Sequence, residues 1–122
     1  MTGQTDPPID LALALRRLDG DMDLMEEIFR TFQADLPERM SRLRAAVERG
    51  DLPETARAAH SLRGALGILG AEQARRLAEQ VEALGAAGRT ADVASACQAF
   101  EREVARISAF FSSPEWSSRM CR

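Results

Sequence analysis

The apolar residues near the carboxyl end of this 122-residue chain recur with a strict helical spacing, which is the strongest constraint on its fold. Steps of four and three residues alternate along the series Val93, Cys97, Phe100, Val104, Ile107 and Phe111. An α-helix has 3.6 residues per turn, so this series forms one continuous apolar stripe that needs to pack against other elements. No segment of the chain shows the alternating pattern of a strand. The spacing therefore predicts an all-α fold.

Residues that begin and end helices divide the rest of the chain into further predicted helices. A short leading helix is expected to begin at Asp6 and to end at Asp19–Gly20, because an acidic residue before a proline favours a helix start. A long second helix follows, with Asp21 or Asp23 as its N-cap, and ends at Arg49–Gly50.

The third predicted helix carries the only histidine of the chain, His60, and runs from its N-cap Asp51 to Gly70. A fourth helix ends in the segment 85–88, and Thr90 is expected to cap the last one. The connections are short, so consecutive helices should be antiparallel. We thus expect an antiparallel up-down four-helix bundle with a short additional N-terminal helix. The bundle domain would span residues 9–111, between a flexible leader (1–8) and a C-terminal tail (112–122).

Composition and charge disfavour several classes of function. The net charge of −3 argues against a nucleic-acid partner. The chain contains neither an apolar run of the roughly 20 residues that span a bilayer nor a secretory signal, which favours a cytoplasmic protein without membrane association. Cys97 is expected to be a buried thiol and Cys121 an incidental one in the tail. One histidine and two separated cysteines do not suffice for an ordinary zinc site.

The surroundings of His60 are unusual for the interior of a helix. The imidazole falls at the edge of the apolar stripe, and Gly64 and Gly67 lie on the same side of the helix, one and two turns further on. A glycine inside a helix costs roughly 1 kcal/mol relative to alanine, so two of them suggest a surface cleared for the close approach of another molecule. Arg63, three residues after His60, can bring a permanent positive charge to the imidazole.

The segment His60-x-x-Arg63-Gly64, followed by Gly70, resembles the H-x-x-K-G-x-x-x-x-x-G signature of histidine-containing phosphotransfer (HPt) domains. Arginine stands at the lysine position, which keeps the charge and adds a planar fork of donors. In helix order and spacing the resemblance extends over roughly residues 9–111. It implies a phosphorelay intermediate that is not an enzyme. His60 would receive a phosphoryl group on Nε2 from an aspartyl phosphate and pass it to a second aspartate.

The resemblance also assigns roles to the residues near His60. Arg63 would offset the charge of the phosphoryl group, since its guanidinium is a strong anion-binding group. A glutamine or glutamate on the following helix often orients the imidazole in the family, and by spacing that position is Glu82, with Glu79 as the competing candidate.

Partners and cofactors follow from the same resemblance. The expected partners are receiver domains of response regulators, a hybrid histidine kinase, or both, and Ser61, Gly64 and Gly67 are the expected docking residues. The chain would bind no metal or other cofactor itself, because Mg²⁺ would come with the partner receiver domain. We expect a monomer.

Two other functions fit a helical bundle with a single half-exposed histidine. One is a non-catalytic adaptor that binds receiver or kinase domains without carrying phosphate. The other is the isolated dimerisation and phosphoacceptor domain of a histidine kinase. The kinase motif differs, because His60 is followed by Ser61 instead of an acidic residue, and no threonine-proline pair follows Arg63. A dimeric state in solution would favour the kinase domain.

Overall fold

A computed structural model of the chain describes residues 7–113, and five α-helices hold 84% of them. In chain order the helices are α1 (Leu11–Arg17), α2 (Met22–Arg49), α3 (Leu52–Leu69), α4 (Glu72–Ala86) and α5 (Thr90–Phe111). This part of the chain contains no strand. The all-α prediction is confirmed, and α1 is the short additional helix. Asp6, Cys121 and most of the expected leader and tail lie outside the described residues.

Helices α2 to α5 form a closed bundle in which each helix packs against two others. Helix α2 contacts α3 and α5, and α4 contacts the same two helices. The connections are residues 50–51, 70–71 and 87–89, so short that consecutive helices run antiparallel. The predicted four-helix bundle is confirmed.

The core of the bundle consists of aliphatic and phenylalanine side chains. Every residue of the α5 stripe that the sequence singled out is buried. At one end of the bundle, Phe29 of α2 and Phe111 of α5 meet edge to face, with ring centroids 5.8 Å apart. Burial, together with the neighbouring Glu101 carboxylate, raises the pKa of Cys97 to about 11. The prediction of a buried thiol at Cys97 is confirmed.

Both ends of α3 are fixed as the sequence predicted. The Asp51 carboxylate accepts a hydrogen bond from the backbone N–H of Glu54 at 3.1 Å, which satisfies one of the free donors of the first turn. That hydrogen bond lowers the pKa of Asp51, and Arg49 lowers it further. At the other end, Gly70 is the C-cap with a φ of 75°, a left-handed conformation that favours glycine. These caps fix the length of the helix that carries His60.

The start of α1 differs from the prediction. The helix begins at Leu11 and not at Asp6, because Asp10 is its N-cap and its carboxylate accepts a hydrogen bond from the N–H of Leu13 at 3.0 Å. A residue that precedes a proline is biased away from helical conformation, which keeps the segment around Pro7 and Pro8 out of the helix. Ile9 therefore lies before α1, although its side chain is buried in the core.

Two other predicted caps can be compared with the structure. Of the two candidates for α2, Asp21 is the N-cap, and its carboxylate accepts a hydrogen bond from the N–H of Leu24. The prediction for α5 was wrong by one residue: Arg89 is the N-cap, and Thr90 is the first helical residue. No side-chain hydrogen bond caps this end of α5.

Helix α1 is anchored where α3 ends and α4 begins. The backbone N–H of Asp10 donates to the carbonyl of Gly70 at 2.9 Å. Arg17, at the other end of α1, donates to the carbonyl of Gly67 and to the carboxylate of Glu72. Burial alone would raise the pKa of Glu72, but hydrogen bonds from Arg75 and Arg17 hold it below its usual value. These contacts place α1 beside the surface on which His60 lies.

Candidate functional site

His60 lies in the middle of α3, on the exposed side of a well-anchored helical turn. Ala59 and Leu62, which lie within two residues of His60 on the same helix, are buried in the core. The imidazole itself is 64% exposed. The core thus fixes the backbone of this turn, while the ring can be reached by another protein.

Glu82, on α4, contacts the ring from the neighbouring helix. Its Oε2 atom lies 2.8 Å from Nδ1 of His60, a distance typical of a charge-assisted hydrogen bond. Glu82 is only 26% exposed, so its carboxylate is held between the two helices. Glu79, the competing candidate, contacts Arg63 at 3.9 Å. The structure therefore brings Glu82, and not Glu79, to the imidazole.

Arg63 is packed against the same nitrogen of the ring. Its Nη2 atom lies 3.0 Å from Nδ1 of His60, and its Nε atom lies 2.9 Å from Oε1 of Glu82. The Nε–H group is buried but makes no aligned hydrogen bond, so its contact with Glu82 is an ion pair with poor hydrogen-bond geometry. His60, Arg63 and Glu82 thus form one cluster, in which both ring contacts are made at Nδ1.

A shallow depression of about 500 Å³ opens beside His60. Gly64 and Gly67 line it, as do Arg63 and residues of α1, α2 and α4. A Cβ atom at Gly64 would meet nothing within 4 Å, so no neighbouring helix requires glycine here. A Cβ atom at Gly67 would lie 3.4 Å from the Cδ of Arg75. Because the two glycines have no side chains, the surface of α3 beside the imidazole stays open.

Ser61 is the expected docking residue that does not line this depression. Its hydroxyl accepts a hydrogen bond from Nη2 of Arg39 on α2 at 2.6 Å. Sequence reasoning did not identify the apolar side chains of the depression: Leu18, Ile28 and Ile68. A signal existed for Ile68, because it is a large apolar residue off the buried stripe, and its side chain is 46% exposed.

Among residues 7–113 there is no group of three or more histidine, cysteine, aspartate or glutamate side chains that could hold a metal ion. Over the same residues, no helix is both long enough and apolar enough to cross a bilayer.

Comparison with known protein families adds to this geometry. The family model described as Hpt domain matches residues 27–110, well over half of the chain. The chain belongs to the Hpt domain family. Neither the curated proteins nor the solved structures gave a match. HPt domains are phosphocarrier modules that act in histidine phosphotransfer within phosphorelays, where they interact with receiver domains and histidine kinases. In this HPt domain the matched segment contains the whole His60, Arg63 and Glu82 cluster.

Proposed function

We propose that this HPt domain is a phosphorelay intermediate that carries a phosphoryl group on Nε2 of His60 between aspartates of two receiver domains. The observation that carries the proposal is the pair formed by an exposed imidazole and a glutamate 2.8 Å from its Nδ1 atom. When Nδ1–H donates to the carboxylate of Glu82, the proton of the neutral ring is on Nδ1. The lone pair of Nε2 is then free for in-line attack on phosphorus.

The transfer step balances without any further reactant. Nε2 of His60 attacks the phosphorus of an aspartyl phosphate, the N–P bond forms, and the bond from phosphorus to the aspartate oxygen breaks. The aspartate leaves as a carboxylate, and the ring becomes a phosphorylated imidazolium that keeps its proton on Nδ1. Glu82 stabilises this positive ring across the 2.8 Å contact. Reversal of the same step delivers the phosphoryl group to the second receiver.

Arg63 supplies the positive charge that offsets the phosphoryl group. Its side chain is 31% exposed, and its Nη2 atom lies 3.0 Å from Nδ1 of the imidazole. We infer that a change of rotamer brings this guanidinium to a phosphoryl group on Nε2. The Mg²⁺ ion that balances the remaining charge comes with the receiver domain. This chain then acts as an acceptor and donor of phosphate, without catalytic machinery for ATP.

The depression beside His60 forms the centre of the docking surface for the receiver domain. Gly64 and Gly67 let the acidic pocket of the partner approach the imidazole, and the exposed Ile68 adds apolar area at the rim. Ser61 lies further out and would contribute at the periphery. The closed four-helix bundle is built from one chain, which supports a monomeric carrier. We place this carrier in the cytoplasm, where receiver domains act.

Transfer of labelled phosphate tests the proposal. A panel of receiver domains is phosphorylated with ³²P and mixed with the wild-type protein or with His60→Gln. We expect acid-labile, alkali-stable label on the wild type only, with both proteins equally folded by circular dichroism. Label on His60→Gln would contradict the role of His60. Binding of a phosphorylated receiver to the wild type without label transfer would replace the carrier with a non-catalytic adaptor.

A further inference from the structure

The Nδ1 atom of His60 has two contacts that are incompatible as hydrogen bonds of one tautomer. Glu82 can only accept a hydrogen bond from Nδ1–H, whereas Arg63 can only donate to an unprotonated Nδ1. A neutral imidazole carries a single ring proton, so it satisfies one of these partners at a time. The two distances, 2.8 Å to Glu82 and 3.0 Å to Arg63, are both short enough for a good hydrogen bond.

The two choices have opposite effects on the reactivity of Nε2. When Glu82 is the partner, the proton is on Nδ1 and the Nε2 lone pair is free. When Arg63 is the partner, the proton is on Nε2, which then cannot attack phosphorus until that proton has left. Whether Glu82 or Arg63 is hydrogen-bonded to Nδ1 thus decides whether Nε2 of His60 can act as a nucleophile.

We propose that Arg63 is a positioning residue that competes with Glu82 for Nδ1 and thereby sets the tautomer of His60. With its guanidinium at Nδ1, Arg63 holds part of the population in the unreactive tautomer. An arriving phosphoryl group draws the guanidinium away from Nδ1, and the ring then donates to Glu82. The inference rests on the proposed function and adds to it a form of activation by the phosphoryl donor itself.

The geometry of Arg63 supports this competition. Its three contacts are with Nδ1 of His60 and with the carboxylates of Glu82 and Glu79, so none of them holds the guanidinium at Nε2. The arginine is held only in part, because its buried Nε–H lies 2.9 Å from Oε1 of Glu82 without an aligned hydrogen bond, and Glu79 is a distant partner at 3.9 Å. A doubly charged phosphoryl group accepts the planar fork of an arginine better than this arrangement does.

The tautomer of His60 can be measured without any phosphorylation. The chain has one histidine, so long-range ¹H–¹⁵N correlation spectra of the ¹⁵N-labelled protein report His60 alone. They are recorded at a pH where the ¹⁵N shifts show an uncharged ring. Four proteins are compared: the wild type, Arg63→Met, Glu82→Met and the double variant. Methionine keeps an unbranched stem and favours helix, but it offers no hydrogen-bond donor.

The proposal predicts opposite shifts in the two single variants. Relative to the wild type, Arg63→Met should raise the ratio of the Nδ1–H to the Nε2–H tautomer by roughly 3- to 10-fold, the value of one hydrogen bond. Glu82→Met should lower that ratio, and the double variant should lie between the single ones. An unchanged or lowered ratio in Arg63→Met would overturn the proposal. Amide spectra verify the fold, and Arg63→Ala gives the same test should Arg63→Met be misfolded.

This result is independent of the proposed function. Tautomer shifts as predicted, together with no label transfer from any receiver, would leave the competition at Nδ1 valid and contradict only the carrier function. Label transfer to the wild type without a shift in Arg63→Met would contradict only the competition.

Discussion

The carboxylate of Glu82 on α4 lies 2.8 Å from Nδ1 of His60 on α3, so a side chain of one helix contacts the ring carried by another. Helices α3 and α4 pack against each other more extensively than any other pair of helices in residues 7–113. At Gly85 a Cβ atom would lie 3.3 Å from the backbone of α3, at Leu52 and Ala56. The close packing fixes the distance between the helices near the site, and the position of the carboxylate follows from it.

Replacement of Glu82 should slow phosphoryl transfer without unfolding the protein. In Glu82→Met the ring loses its acceptor, and a hydrogen bond to a charged group contributes about 1.5 kcal/mol or more, so we expect a decrease of roughly tenfold in rate. Glu82→Gln should lose less, because the amide oxygen still accepts from Nδ1–H. Single-turnover transfer from a phosphorylated receiver measures both. Equal rates in Glu82→Met and the wild type would show that Glu82 does not orient the imidazole.

Gly64 inside α3 and Gly70 at its C-cap should respond in opposite ways to alanine. At Gly70 a Cβ atom would lie 2.6 Å from the carbonyl oxygen of Asp10, and φ is 75°, so Gly70→Ala should destabilise the protein by about 1–3 kcal/mol. Gly64 lies within the helix with open space around it, so Gly64→Ala should be neutral or stabilise by up to about 1 kcal/mol. Urea unfolding of the matched pair checks this prediction, and a substantial loss in Gly64→Ala would contradict the open surface.

A large side chain at Gly64 should block docking while His60 stays intact. We expect Gly64→Leu to lose most transfer from a receiver but to keep its reactivity toward a small phosphoramidate donor, which needs no docking surface. Gly64→Ala and Ala105→Leu, at an exposed position of α5, are the controls and should transfer normally. Normal transfer from the receiver to Gly64→Leu would rule out a docking surface centred on this depression.

Asp51 should link stability to pH through the start of α3. Its pKa is lowered in the folded protein, so its carboxylate adds stability above the ordinary value of 3.8 and loses that contribution as the pH falls through the folded value. Asp51→Ala should therefore melt below the wild type at pH 7, and the gap should narrow under acid conditions. Asp51→Asn, which keeps a capping oxygen, should lie between them at pH 7. A gap in melting temperature that is constant down to about pH 2 would contradict this account.

The predictability of the fold from the sequence depends on how local the relevant signals are. The α5 stripe and the caps at Asp51 and Gly70 were correct, because periodicity and capping act within a few residues. The start of α1 was wrong because two local candidates competed: Asp6 precedes a proline, whereas Asp10 caps the helix through the N–H of Leu13. The hydrogen bond from the N–H of Asp10 to the carbonyl of Gly70, far along the chain, favours Asp10, and no local pattern reports that contact.

The candidate site, like the fold, could be predicted from the sequence only in part. The sequence singled out His60 and Arg63 through their spacing, and Glu82 through a family resemblance. It could not show that Arg63 and Glu82 meet at one ring nitrogen, because that depends on the register between α3 and α4 and on rotamers. The hydrogen bond from Arg39 to the Ser61 hydroxyl was not predicted for the same reason, because the two residues belong to different helices.

The most direct test of the account is to identify the atom that carries the phosphoryl group. The ¹⁵N-labelled protein is phosphorylated by a receiver domain, and ³¹P–¹⁵N couplings are measured on its single histidine. We predict a direct coupling of phosphorus to Nε2 of His60, with the ring proton on Nδ1 facing Glu82. A phosphoryl group on Nδ1, or on any residue other than His60, would contradict it.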